Sequence, residues 1–209
     1  MRATKDLARK EIFIGACDDV PNTSSFYYSP TGDITTSLQR QNDSKIKTPN
    51  SDNYPIWWRA DERFFWNRYM LPDVILSWNV NADSWIIPII QGFVQVEYCT
   101  LDMAADVPDS NIGKDFKKFD MILISRRIRF RAGTVYKRQG VDEQGKVANY
   151  VETEQIFTCC QHAASFVQVR GSVPVYWSQP GSKYRPPPRI DRPEDDTASA
   201  FKKHFEEEP

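Results

Sequence analysis

The stretch from Phe119 to Trp177 constrains the fold most, because short runs of strand-forming residues follow one another there with turn formers between them. Phe119 to Ile124 is a short apolar run. Arg126 to Arg138 and Val147 to Phe157 read as the two sides of a long β-arm, since they flank Gly140-Val141-Asp142-Glu143-Gln144-Gly145, a segment with the composition of a hairpin loop. Ser165 to Val169 and Val173 to Trp177 add two strands around Arg170-Gly171-Ser172. Upstream, Trp85 to Tyr98 reads as a further strand interrupted near Pro88 and Gly92, with Val94, Val96 and Tyr98 on one face and Gln95 and Glu97 on the other. Strands without regularly interposed helices exclude repeated βαβ units. The expected class is α+β, with mixed or antiparallel sheets and flanking helices.

The helices are fewer. Phe64, Phe65, Tyr69 and Leu71 recur at helical spacing, so Ala60 to Leu71 is expected to be an amphipathic helix stopped by Pro72. Thr197 to Glu207 is expected to be a second, after an extended connection at Pro186-Pro187-Pro188. Phe26-Tyr27-Tyr28 reads as a short strand leading into the turn Ser29-Pro30-Thr31-Gly32-Asp33. Gln39 to Tyr54 carries few large apolar side chains and several turn formers, which predicts a surface loop. That loop divides the 209 residues into an expected first lobe over 1–50 and a second over 51–209. Thr100 to Lys118, acidic and then basic without periodicity, reads as a surface insertion.

Lys and Arg number 27 against 28 Asp and Glu, a net charge of −1, which excludes a globally basic nucleic-acid-binding protein but not a local basic patch. One such patch is plain. Thirteen residues from Arg126 hold six cations, Arg126, Arg127, Arg129, Arg131, Lys137 and Arg138. On a continuous strand Arg127, Arg129 and Arg131 would share a face and offer forked donors to phosphate oxygens of an acidic lipid headgroup. An equally physical reading gives the ladder a carboxylate neighbour. Glu152 and Glu154 share a face, and a hairpin centred between Asp142 and Glu143 would set Arg131 opposite Glu154.

Other chemistry is thinly supported. The pair Glu152 and Glu154 divides acid and base roles only if their surroundings separate their pKa values, and Glu-Thr-Glu alone has little specificity. Cys159-Cys160-Gln161-His162 suggests a metal, but adjacent strand residues point to opposite faces and there is no second ligand pair, so no metal or cofactor is expected. There is no Gly-x-Ser-x-Gly elbow and no Gly-x-x-x-x-Gly-Lys-Ser/Thr phosphate loop. The four cysteines are too irregular for a disulfide framework, which favours a reducing compartment. The first residues are charged where a signal peptide is apolar, and a soluble chain is expected.

The strings SRRIRFRAGTVYKRQGVDEQGKVANYVETEQ from Ser125 and SFVQVRGSVPVYWSQ from Ser165 closely resemble the Sac family of phosphoinositide phosphatases. SSFYYSPTGDITTSLQR from Ser24, RADERFFWNRYM from Arg59, WIIPIIQGFVQ from Trp85 and KYRPPPRIDR from Lys183 support the resemblance, as does HFEEE at His204 to Glu208. The wording is most similar to the branch called inositol polyphosphate-5-phosphatase F. The resemblance implies an incomplete Sac domain, residues 1–50 ending its N-terminal lobe and 51–209 beginning its catalytic lobe. It further implies a phosphatase acting on phosphatidylinositol phosphates, with the 4-phosphate preferred, at endosomal or other cytosol-facing membranes. The partner it implies is a phosphoinositide membrane surface, not nucleic acid.

Sac enzymes use a Cys-x-x-x-x-x-Arg loop, in which a thiolate attacks phosphorus while backbone N–H groups and the arginine hold the phosphate oxygens. Six residues beyond Cys17, Cys99, Cys159 and Cys160 stand Thr23, Ala105, Ser165 and Phe166, so no cysteine here has that arginine. The resemblance therefore implies no catalytic residue within this sequence. Asn149, Glu152, Arg170 and Gly171 lie in its most family-like strings and are expected to shape or approach the active site.

Overall fold

A computed structural model describes residues 25–47, 54–71, 85–100, 118–131, 139–159, 162–179 and 186–207. The chain forms two compact units, one from residues 1–126 and 153–168, the other from residues 127–152 and 169–209.

The first unit is organised by a five-stranded sheet in the order β1-β2-β3-β5-β6, where β1 is Ser25–Tyr28, β2 Ile89–Thr100, β3 Lys118–Arg127, β5 Val151–Cys159 and β6 His162–Arg170. β1 runs antiparallel to β2, with Ser25 opposite Gly92 and Tyr28 opposite Ile89. The expected α+β class with antiparallel pairing is what forms. β2 begins directly after Pro88, but Gly92 does not interrupt it. A Cβ at Gly92 would lie 1.8 Å from the Ser125 carbonyl oxygen, so the missing side chain lets the neighbouring backbone close in.

Two expectations in this unit fail. Gln39 to Tyr54 is not all loop, because α1 occupies Leu38–Lys47. Gln39, Arg40 and Gln41 are good helix formers, and the Ser37 hydroxyl accepts the Arg40 N–H, but the scarcity of apolar residues hides the pattern. The Gln41 amide also donates to the Asp33 and Thr36 carbonyls, fastening the helix to the preceding turn. Conversely, Ala60 to Leu71 is not one helix. α2 covers only Ile56–Arg59, and a 3₁₀ turn covers Trp66–Met70. Between them the Asp61 carboxylate takes the Arg63 N–H and grips its guanidinium, a local bond that competes with helix continuation. The break buries Phe64 and Phe65 together, which a helix would point about 100° apart. Trp57, Phe65 and Ile86 then form one apolar cluster. Asn67 pins the 3₁₀ turn to the sheet, donating to the Ile87 carbonyl and accepting the Ile89 N–H.

The second unit holds a small antiparallel sheet in the order β4-β7-β8, with β4 at Gln139–Gly140, β7 at Tyr176–Ser178 and β8 at Arg189–Ile190. Gly140, at φ 76°, sits where a Cβ would meet the Val175 carbonyl at 1.9 Å. The loop expected at 140–145 is present. Val141 bridges Val147, the Asp142 carboxylate accepts the N–H groups of Gln144 and Lys146, and Gly145 turns at φ 85°. The arms expected to flank it do not form one hairpin, since β3 ends at Arg127 and residues 129–131 are a turn. α3, at Glu194–Glu207, rests its His204 ring nitrogen on the Gly145 carbonyl and its Lys203 amine on that of Glu143. Val141, Val147, Ala148 and Tyr150 are the buried hydrophobic residues of this loop region.

Candidate anion-binding site

The six cations of the basic run do not act alike. Arg126 is 1% exposed and turned into the first unit. It donates from Nε to the Ile34 carbonyl at 2.6 Å and makes an ion pair with Glu154, whose other oxygen accepts the Leu38 N–H at 2.7 Å. A carboxylate at the first turn of α1 also meets the positive end of the helix. Arg126 is thus a structural brace and not a phosphate ligand of this conformation. The cross-strand neighbour of Glu154 differs from the expected one because the register differs. The Ser125 and Thr153 hydroxyls meet across the first unit's sheet, and in the second unit Ile128 N–H donates to the Tyr150 carbonyl. That register belongs to strands joined by a longer segment that contributes β4 to the small sheet, and not by a tight turn at 142 and 143.

The ladder of Arg127, Arg129 and Arg131 does not exist as a strand face, because only Arg127 lies in β3. Arg131 has a positive φ of 51° and directs Nη1 inward to the carbonyls of Gly140 and Lys146, at 2.6 and 2.9 Å. It closes the base of the loop. Arg127 and Arg129 keep to the surface side. Arg127 donates to the Asn149 side-chain oxygen at 3.2 Å, and Asn149, exposed at φ 56°, takes the left-handed conformation that asparagine tolerates. Arg129 lies 4.0 Å from the centre of the Phe130 ring, and the Lys146 amine lies 3.6 Å from the same centre. Lys137 and Arg138 fall outside the described residues.

Of the expected supporting residues, Arg170 and Gly171 are exposed, and Gly171 packs its backbone against Val147 and Tyr150. The segment Ala148 to Tyr150 therefore has Arg127 and Ile128 bonded to it, and Ser172 N–H donating to the Ala148 carbonyl. Arg127 and Gly171 thus both meet the segment Ala148 to Tyr150, the first through Asn149 and the second at Tyr150. Glu152 and Glu154 are both 0% exposed, so the paired-carboxylate chemistry has no access to a substrate in this conformation. Phe130 and Lys146 escaped the sequence reading. The only signal was the aromatic interleaved in Arg129-Phe130-Arg131, which charge counting passes over.

Asp33 was also unforeseen. Its carboxylate accepts the N–H and the hydroxyl of Thr35, at 2.8 and 2.6 Å, inside the first unit. Burial raises its pKa above the ordinary carboxylate value, against the lowering effect of those bonds and of the Arg126 charge. A raised folded-state pKa means that the native state favours the proton, so this group's contribution is full at low pH and is lost as pH rises through the folded value. Asp33→Asn keeps an acceptor for Thr35, and its stability relative to the parent is expected to increase as pH rises above about 4. Denaturant unfolding across pH 4 to 8 checks this, and a constant difference would refute it.

From residue 4 to residue 208 the sequence matches the family model described as the SacI homology domain. The chain belongs to the SacI homology family. This Sac chain is 46% identical over 199 residues to the phosphatidylinositide phosphatase SAC2 of Homo sapiens, covering 90% of its own length and 17% of that protein. It is 36% identical over 197 residues to the phosphatidylinositol-3-phosphatase SAC1-B of Danio rerio, covering 94% of itself and 30% of that relative. With the phosphatidylinositol-3-phosphatase SAC1 of Saccharomyces cerevisiae it shares 38% identity over 194 residues, 88% of the Sac chain and 27% of the yeast protein. The Sac chain thus spans less than a third of the length of these relatives. Among its described residues no helix is long and apolar enough to cross a membrane.

Proposed function

We propose that this Sac chain is a part of a phosphoinositide phosphatase that removes a phosphate, the 4-phosphate by preference, from phosphatidylinositol phosphates by cysteine nucleophile chemistry. The observation that carries the reading is the match across residues 4–208, together with relatives of 36–46% identity that are named as phosphatases of phosphoinositides. None of the four cysteines is followed at the sixth position by arginine. The nucleophile loop therefore comes from sequence other than these 209 residues, and this chain alone does not turn over substrate.

Its own contribution is to shape the domain and to face the membrane. Arg127 and Arg129 meet anionic lipid at cytosol-facing, endosomal membranes, and Lys137 and Arg138 remain proposed lipid contacts on the strength of the sequence. Arg126 and Arg131 hold the fold, and Asn149 orients Arg127. Arg170 and Gly171 are proposed to shape or approach the active site of the whole enzyme.

The test joins this chain to the Cys-x-x-x-x-x-Arg-bearing remainder of a relative such as human SAC2. Phosphate release is then compared across the 3-, 4- and 5-monophosphates of phosphatidylinositol. Faster release from the 4-isomer is expected, and the double reversal Arg127→Glu, Arg129→Glu is expected to weaken vesicle binding at least tenfold, at about 1 kcal/mol for each basic residue near the surface and more for reversal. Equal release from all three isomers, or binding indifferent to the reversal and to salt, would contradict the reading.

A further inference from the structure

We propose that the outer edge of β6 is a pairing surface for a second copy of this chain. Within the first unit, residues 162–168 of this strand close one side of the five-stranded sheet, and among the described residues β5 is their only strand neighbour. In an edge strand every second residue aims its N–H and C=O away from the sheet, which leaves a row of donors and acceptors for another strand. The two edges of this sheet are not alike. β1 closes the other side with four residues, Ser25–Tyr28, and so short an edge offers little to pair with. β6 is longer and lacks the residues that commonly guard an edge. His162-Ala163-Ala164-Ser165-Phe166-Val167-Gln168 contains no Lys, Pro, Gly or acidic residue, and it holds Phe166 60% exposed.

The occupant follows from the order of those residues. Two copies related by a two-fold axis bring their edges together antiparallel and pair each position with its mirror in the strand. About an axis at Ser165, Phe166 of one copy lies opposite Ala164 of the other, and Val167 lies opposite Ala163. His162 meets Gln168, and the serine meets itself. Each large apolar side chain thus stands beside a small one, and no like charges face each other at neutral pH, conditions that favour cross-strand pairs. An unrelated peptide would have to match this spacing, whereas a second copy supplies it. Ala164 and Phe166 are exposed and share a face, while Ala163, Ser165 and Val167 are half-buried on the other, so the pairing covers the exposed phenyl without disturbing the packed side.

Seven residues span about 23 Å of strand. Two edges of that length bury less than the roughly 1,000 Å² of a stable interface, so the dimer is weak and forms as concentration rises. It needs neither a lipid nor a nucleophile, and its failure would leave the phosphatase reading untouched.

Sedimentation of the 209-residue chain from micromolar to near-millimolar concentration measures the association. The weight-average mass is expected to rise from 24.2 kDa toward twice that value. Two double variants test the register, Ala164→Lys with Phe166→Lys and Ala164→Glu with Phe166→Glu. Each sets like charges opposite one another across the two-fold pairing and is expected to raise the dissociation constant by about tenfold. Both positions are exposed, so the substitutions leave the packed face as it is. An equimolar mixture of the two variants sets opposite charges together and is expected to recover association, which shows at the same time that both are folded. A parent chain that stays at 24.2 kDa at every concentration or grows past the dimer, or an association indifferent to both double variants, would overturn the pairing.

Discussion

Glu154→Ala is expected to cost about 3–5 kcal/mol of stability, because it breaks a buried ion pair by removing one partner. The carboxylate does two things at once. One oxygen pairs with Arg126, and the other accepts the Leu38 N–H at the start of α1, so its loss breaks a buried pair and orphans a helix-terminal donor together. Replacing both partners, as in Arg126→Met with Glu154→Leu, is expected to recover only part of the loss. The Ile34 carbonyl loses the Arg126 donor, and Leu38 stays without its acceptor. Chemical denaturation of the four proteins of the cycle measures the coupling. A single Glu154→Ala loss below about 1 kcal/mol, the range of an exposed pair, would show that the brace is solvated.

Gly92→Ala carries the second large effect. The added Cβ would stand 1.8 Å from the Ser125 carbonyl oxygen and 2.8 Å from its carbonyl carbon. Neither is the end of a flexible side chain, so β2 and β3 must part for the methyl to fit. The expected cost lies at or beyond the upper end of the ~1–3 kcal/mol typical of overpacking, and the expected result is loss of the cooperative unfolding transition. An alanine variant that unfolds at the parent's midpoint would mean that the two strands are not held at this distance.

The strands were legible because their signal is local. Val94 alternates with Phe93 and Gln95 in burial, and the turn formers between Gly140 and Gly145 do make a loop. What the sequence does not contain is the register. A shift of one residue exchanges the faces of a strand, and the segment between β3 and β5 contributes β4 to a separate small sheet completed by β7 and β8 from far downstream, which no hairpin rule supplies. Hairpin geometry alone sets Arg131 opposite Glu154, whereas Arg126 is the partner of Glu154 in the fold. Arg126 was read as a surface cation for the same reason, since a charged residue reads as solvated until its partner is known. The helix at Leu38–Lys47 was hidden by a polar composition whose stabilising contacts, with Glu154, Asp33 and Thr36, come from outside it. The basic patch was visible, but not its division into braces and surface groups. That division depends on partners distant in sequence, Ile34 and Glu154 for Arg126 and the carbonyls of Gly140 and Lys146 for Arg131.

The family was the most legible part, since long strings carried it and the match over residues 4–208 bears it out. The central claim is that this Sac chain contributes scaffold and membrane-facing surface to a phosphoinositide phosphatase whose nucleophile it does not carry. Phosphate release from phosphatidylinositol 4-phosphate vesicles by the 209-residue chain alone, before and after thiol alkylation, tests it most directly. The account predicts vesicle binding with no release above the buffer rate in either state. Release by the chain alone that survives alkylation would contradict it.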